Sequence, residues 1–253
     1  MSFSEKIASV SDSLIGRDCS AIILAGGSGS RFSDKCDTPK QLSKICGIPM
    51  ILYSVKAFSR CRSVREIIIV SREQDIGHIK ELVDTVDLKV PVKIVKGGEN
   101  RQESALNGFE ATSDKASLIA IHDAARPLIV KEDIERIIRK AARFGGAIAA
   151  TAAVDTPKIV SGKGRISEKA PDRAALWMAQ TPQIFKRDIY MTAAYYAREQ
   201  KFIATDDASL LEFAGLEVYA VQTREPNFKV TFESDLLLAE AIINSRKKKE
   251  DVK

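Results

Sequence analysis

The chain has 253 residues, 45% of them hydrophobic but only 6% aromatic, and carries a formal net charge of +5 at pH 7. It is long enough to bury a sizeable core in one large domain or two small ones, and its aliphatic bias suits helices on a parallel sheet better than a β-sandwich. The terminal stretch SRKKKEDVK supplies three of the five net positive charges, and the near-neutral body that remains speaks against nucleic-acid binding.

The N-terminal stretch, residues 1–19, lacks the apolar core of a signal peptide and is expected as an extension, either a short helix or a loose arm. No apolar run approaches the length of a membrane span. Cys19, Cys36, Cys46 and Cys61 show neither a C-x-x-C pair nor zinc-type spacing. They read as free thiols of a cytoplasmic protein with no membrane attachment.

Residues 20–245 are expected to form one domain, followed by a solvated basic tail at 246–253. Apolar runs of strand length recur at 21–25, 66–71, 92–96, 118–122, 147–154 and 217–222. Most are apolar on both faces, as buried parallel strands are. Between them, KEDIERIIRKAARF (131–144) spaces Ile134, Ile137, Ile138 and Ala141 on one helical face. ESDLLLAEAIINS (233–245) opens on acidic residues, as a helix N-terminus prefers. The expected fold is α/β: a single Rossmann-like, doubly wound, mostly parallel sheet.

One segment, 155–183, breaks the alternation. It has few core-type residues, and KIV and RIS flank Gly162-Lys163-Gly164, which predicts a short hairpin. Two exposed strands are marginal alone. The segment is either a surface loop or a protruding β-arm that orders against another subunit.

Polar clusters follow four of the apolar runs directly: AGGSGSR, GGENRQES, HDAARP and DTPK. In a parallel sheet these strand ends share one edge, the edge where open α/β sheets bind ligands. Gly26, Gly27 and Gly29 allow backbone N–H groups to approach a phosphate, with Arg31 and Lys40 as neighbouring cations; the alternative is a tight turn with two solvated charges. A P-loop is excluded because Ser30-Arg31 follows Gly29, and a dinucleotide fingerprint because Phe32 stands where a third glycine belongs. A nucleophile elbow would need glycine at Ser30. Asp123, just past a buried strand, is suited to a ribose hydroxyl or to Mg²⁺ bridging phosphates, or else caps a helix. GGENRQES offers backbone amides beside Glu99 and Ser104 that could read a base edge, or a Gly-Gly turn with a helix cap at Asn100.

Taken in order, GGSGSRF…PKQ, GGENRQESALNG, HDAARP, DTPK, DR…LW.AQTPQ.F, TDDAS and NFKVT…DL..AE resemble the 2-C-methyl-D-erythritol 4-phosphate cytidylyltransferases over about residues 20–243. The resemblance implies transfer of a cytidylyl group from CTP to a polyol phosphate with Mg²⁺ or another divalent cation. Arg31 and Lys40 would grip the triphosphate, and the nucleotide would lie against Ala25, Gly26, Gly27, Gly29, Gly98, Glu99, Ser104 and Asp123. Arg173 and Lys229 would position the incoming phosphate, with Thr156 and Arg126 beside it. Asp123 would face ribose or the metal. The 155–183 segment would be a homodimer arm. The nearest alternative of the same fold and chemistry is a ribitol 5-phosphate cytidylyltransferase. A nucleotide-binding regulator without turnover and an NAD-dependent dehydrogenase fit the motifs less well.

Overall fold

In the computed structural model, which describes residues 18–27, 32, 39–168 and 172–251, strand β1 (Cys19–Leu24) is the centre of the molecule. It lies between β4 (Val64–Ser71) and β6 (Leu118–Asp123), parallel to both. Leu24 is level with Val70 on one side and Asp123 on the other, and β5 (Val92–Lys96) continues the sheet with Lys96 beside Ser71. Four strands therefore end at one edge. The chain adds β4 and β5 on one side of β1 and β6 on the other, so the switch point between the two directions falls at β1 and β6. A crevice opens there in sheets of this kind.

The burial pattern explains why these runs are strands. Ala21 and Ile23 of β1, with Ile67 and Ile69 of β4, face one layer; Ile22 and Ile68 face the other. The first layer holds α1 (Met50–Ser59), α2 (Ile76–Asp84) and α4 (Lys131–Phe144), and the second α3 (Arg101–Glu110), α5 (Arg187–Glu199) and α6 (Asp207–Phe213). Each fully buried isoleucine contributes about 1.5–3 kcal/mol. α4 buries the expected Ile134, Ile137, Ile138 and Ala141 against the sheet. A third cluster joins α7 (Ser234–Asp251), through Ala239 and Ile243, to Met50, Leu128, Val230 and the small hairpin β2 (Lys44–Ile45) and β3 (Ile48–Pro49).

Beyond β6 the sheet continues with β10 (Trp177–Lys186), β7 (Gly146–Ala152) and β11 (Tyr219–Gln222). β10 runs antiparallel to both neighbours. The sequence pattern did not predict this strand. Its pairing with β7 is irregular between Ala179 and Gln183, where Pro182 sits; proline has no N–H for a ladder, and bulges tolerate it. The segment expected as an arm over 155–183 is therefore shorter, because residues 177–183 belong to the central sheet. The predicted hairpin itself is present as β8 (Ile159–Val160) and β9 (Ile166–Glu168), antiparallel around Gly162–Gly164. No helix among the described residues is long and apolar enough to cross a membrane.

Candidate active site

The level strand ends gather their loops into a cleft of about 420 Å³. Ala25, Gly26 and Gly27 line it after β1, Gly98 to Arg101 and Ser104 after β5, Asp123 to Ala125 after β6, and Lys229 and Thr231 after β11. Lys40 and Gln41 close it from a short helical turn that follows Pro39. Of the residues expected at the site, Gly29 and Arg31 lie outside the described residues. The cleft brings together Ala25, Gly26, Gly27, Lys40, Gly98, Glu99, Ser104, Asp123 and Lys229.

The two glycine loops are bare for different reasons. A Cβ on Gly98 would stand 2.4 Å from the Glu103 Cβ, so only glycine lets this loop rest on the first turn of α3. A Cβ on Gly26 would meet nothing nearer than 3.9 Å, and one on Gly27 nothing within 4 Å. Packing among the described residues does not require glycine at either position. Their open faces border the cleft, where a ligand can approach the backbone.

Asn100 caps α3, its side chain accepting from the Glu103 N–H, as one reading of the sequence expected. Two amides of the same loop are already engaged. The Gly98 N–H donates to Ser104 Oγ at 3.1 Å and the Glu99 N–H to Glu103 Oε2 at 2.9 Å. Neither is an open donor for a base edge, contrary to the other reading. Ser104 shapes the loop from below.

Asp123 is the electrostatic centre. Its Oδ1 accepts from Arg101 Nε at 3.3 Å and its Oδ2 from Lys229 Nζ at 2.7 Å. Burial opposes ionisation of this carboxyl, but the flanking Arg101 and Lys229 outweigh it and hold the group well below the usual carboxylate range. The Asp123 N–H donates to Thr181 Oγ1 at 3.0 Å, and Thr181 Oγ1 lies 3.1 Å from His122 Nδ1. His122 Nε2 faces the Arg126 carbonyl at 3.2 Å, and a carbonyl can only accept. The proton of a neutral ring therefore sits on Nε2, and the Thr181 hydroxyl donates to Nδ1. Burial pushes His122 down to about 4, which keeps the ring neutral. His122 is a packed, orienting residue.

The return loop is pinned by Val230 N–H to the Ala125 carbonyl at 2.8 Å, which sets Lys229 opposite Asp123. Arg126 does not line the cleft. Its Nη1 donates to the Asn227 carbonyl at 2.9 Å, and Asn227 Nδ2 donates to the Thr181 carbonyl at 2.8 Å, so the arginine braces two loops behind Asp123. Thr156 and Arg173 are exposed on the segment between β7 and β10, where Arg173 Nη1 donates to the Val154 carbonyl at 3.0 Å. Neither lines the cleft of its own chain.

Two charged residues of the site were missed as functional. Arg101 lines the cleft, and its Nη2 donates to Asp207 Oδ2 at 2.8 Å; Asp207 is buried in the first turn of α6. Both left a signal. A cation in the first turn of a helix opposes the helix dipole and needs a local reason. In TDDAS, Asp206 serves as the helix cap, which frees the adjacent carboxylate to face inward.

The metal expectation meets a sparse donor set. No group of three or more histidine, cysteine, aspartate or glutamate side chains that could hold a metal occurs among the described residues. Asp123 and Glu99 are the carboxylates of the cleft lining, and Asp123, flanked by Arg101 and Lys229, is the one buried at its centre. One carboxylate fits Mg²⁺ when substrate phosphates and waters supply the remaining oxygens, a common arrangement for that ion.

The family model described as 2-C-methyl-D-erythritol 4-phosphate cytidylyltransferase matches residues 19–245. A protein of that name from Bacillus licheniformis is 39% identical over 231 residues, covering 91% of this chain and 98% of the relative. Another from Endomicrobium trichonymphae is 40% identical over 227 residues, covering 89% and 98%. Among solved structures, the 4-diphosphocytidyl-2C-methyl-D-erythritol synthase of Anaerococcus prevotii superposes with a TM-score of 0.79 at 28% identity, covering 90% of this chain and 99% of that one.

Proposed function

The chain belongs to the 2-C-methyl-D-erythritol 4-phosphate cytidylyltransferase family, and from that premise we propose how its residues share the work. It is a nucleotidyltransferase of the non-mevalonate route to isoprenoids: the cytidylyl group of CTP passes to 2-C-methyl-D-erythritol 4-phosphate, giving the CDP-alcohol and pyrophosphate. The relatives named above give no support to the ribitol 5-phosphate alternative.

An oxygen of the polyol phosphate attacks the α-phosphorus of CTP. The bond from that phosphorus to the oxygen bridging the β-phosphate breaks, and pyrophosphate leaves with the electron pair. A phosphate monoester is already an anionic nucleophile near neutral pH, so the site needs no strong base. What it must overcome is repulsion between two anions and charge growth on the leaving group, which positioned cations and dipoles answer. The observation that carries this reading is a cleft with open glycine backbone on one wall and Lys40, Arg101 and Lys229 on the others.

In this reading the triphosphate lies along Gly26, Gly27 and Gly29, with Arg31 and Lys40 stabilising charge at the α-phosphate. Lys229 holds the incoming phosphate close to Asp123. Mg²⁺, held by Asp123 and the triphosphate oxygens, would supply Lewis-acid neutralisation of the phosphates. Since the Gly98 and Glu99 amides are engaged, the carbonyls of that loop are the groups we assign to the amino donor of cytosine.

Thr156 and Arg173 serve the cleft of a second copy. The segment carrying them exposes Val154, Ile159, Val160 and Ile166, with Trp177 and Met178 beside it, an apolar surface suited to a homodimer contact. We place the enzyme in the cytoplasm. Cys19, Cys46 and Cys61 are free thiols, as a reducing compartment would keep them.

Steady-state pyrophosphate release with CTP, Mg²⁺ and either methylerythritol or ribitol phosphate tests the choice of alcohol. Faster turnover of the methylerythritol substrate is expected. A preference for ribitol 5-phosphate would overturn it.

A further inference from the structure

Four charged side chains of alternating sign run into the cleft from four separate elements. Asp207 Oδ2 accepts from Arg101 Nη2 at 2.8 Å, Arg101 Nε donates to Asp123 Oδ1 at 3.3 Å, and Asp123 Oδ2 accepts from Lys229 Nζ at 2.7 Å. Only the outer member, Asp207, stands away from the cleft lining. We propose that Asp207 is a positioning residue for cytidylyl transfer: it anchors the Arg101 guanidinium so that Asp123 stays committed to Lys229, the cation that holds the incoming phosphate.

The lengths of the bonds give the direction of control. Arg101 makes its shorter bond with Asp207 and its longer one with Asp123, so its guanidinium is moored on the side away from the ligand. Without the Asp207 charge, Asp123 would be the remaining carboxylate on Arg101. The guanidinium would then close on Asp123 and compete with Lys229 for it.

The anchor is costly to maintain. Asp207 is 1% exposed and its Oδ1 is sealed from solvent with no hydrogen-bond partner; burial pushes its carboxyl up, and the Arg101 guanidinium on Oδ2 is what favours the charged form against that. A buried carboxylate with one oxygen unsatisfied stabilises a fold less than an apolar side chain of similar size would. A purely structural role gives no reason to keep it. Its backbone is also held with care. Gln183 Oε1 accepts from the Ala208 N–H at 2.9 Å, and Gln183 Nε2 donates to Asp206 Oδ2 at 2.8 Å. These bonds clamp the first turn of α6 to β10 beside Asp123, fixing where Asp207 presents its charge.

The inference rests on the cytidylyltransferase reading, and its test separates the two. Asp207→Asn keeps the size and one acceptor for Arg101 but removes the charge. We expect kcat to fall about 10- to 100-fold, the scale of one lost charge-assisted hydrogen bond, with KM for CTP changed less than about 3-fold. Adding Asp207→Asn to Arg101→Gln should cost almost nothing more, because the aspartate acts through the arginine. Asp207→Glu, which restores the charge, should recover most of kcat. A crystal structure of the Asp207→Asn variant should show Arg101 drawn toward Asp123 and the Lys229–Asp123 contact lengthened. An unmoved Arg101, additive losses, or equal losses in the Asn and Glu variants would overturn the proposal. Should Asp207→Asn fail to fold, the Glu variant decides: a loss of kcat beyond 10-fold with the charge kept would make packing the cause and overturn it. A wild-type protein that released no pyrophosphate would defeat the functional reading alone, and the crystallographic comparison would still judge the anchor.

Discussion

Lys229 Nζ lies 2.7 Å from Asp123 Oδ2, an ion pair between residues 106 positions apart in the chain. It closes the cleft by joining the end of β6 to the loop before α7. The Lys229 side chain is 38% exposed and that of Asp123 only 12%, so the ammonium is the member that can turn toward a ligand. Lys229→Ala should therefore lower kcat/KM for the polyol phosphate by roughly 100- to 1000-fold, the scale of one lost preorganised donor. KM for CTP should change little. A loss confined to KM for CTP would place Lys229 on the nucleotide instead.

His122 makes stability depend on pH. Its folded pKa, about 4, lies below the ordinary 6.5 because burial penalises the imidazolium. Between these values the unfolded chain binds more protons than the folded one. The stabilisation is thus fully present above about pH 6.5 and is lost as pH falls toward 4, amounting to roughly 3 kcal/mol. Urea midpoints measured across this window should fall more steeply for the wild type than for His122→Asn. Parallel curves would contradict the assignment of a neutral, buried ring.

The base loop predicts a preference for CTP over UTP. Its Gly98 and Glu99 amides are held by Ser104 and Glu103, which leaves loop carbonyls to meet an amino donor. Uracil would set a carbonyl against them, and a hydrogen-bonding site rejects such a mismatch strongly. Ser104→Ala frees the Gly98 N–H and should narrow the discrimination between the two nucleotides. Equal kcat/KM for CTP and UTP in the wild type would refute this view of the loop.

Arg173 and Lys40 test whether each cleft is composite. Mixed dimers of Lys40→Ala and Arg173→Ala chains, refolded together, would contain one doubly defective and one intact cleft if Arg173 acts in trans. Two nearly inactive variants should then recover substantial activity on mixing. If confirmed heterodimers stay inactive, Arg173 serves its own chain.

The parallel strands were legible because their aliphatic runs are buried on both faces, as in Ile67–Val70. α4 was legible because its isoleucines keep a helical period. β10 was not. Its first half is polar or exposed, Pro182 interrupts it, and its antiparallel place depends on pairing with two strands distant in sequence. At the site, glycine loops and strand-end charges announced the cleft. The pairing of Arg101 with Asp207, 106 residues apart, is a tertiary fact that no local pattern encodes. The engaged Gly98 and Glu99 amides likewise depend on side chains from the next helical turn, which a list of donors in the loop does not reveal.

The central claim is that the bond broken lies between the α- and β-phosphates and that the cytidylyl group passes to a polyol phosphate. A single turnover with CTP labelled at the α-phosphorus measures this directly. With 2-C-methyl-D-erythritol 4-phosphate and Mg²⁺ present, the account predicts that the label appears in the CDP-alcohol, that unlabelled pyrophosphate forms in equal amount, and that neither appears without the alcohol. Label released as CMP, or pyrophosphate formed without the alcohol, would contradict it.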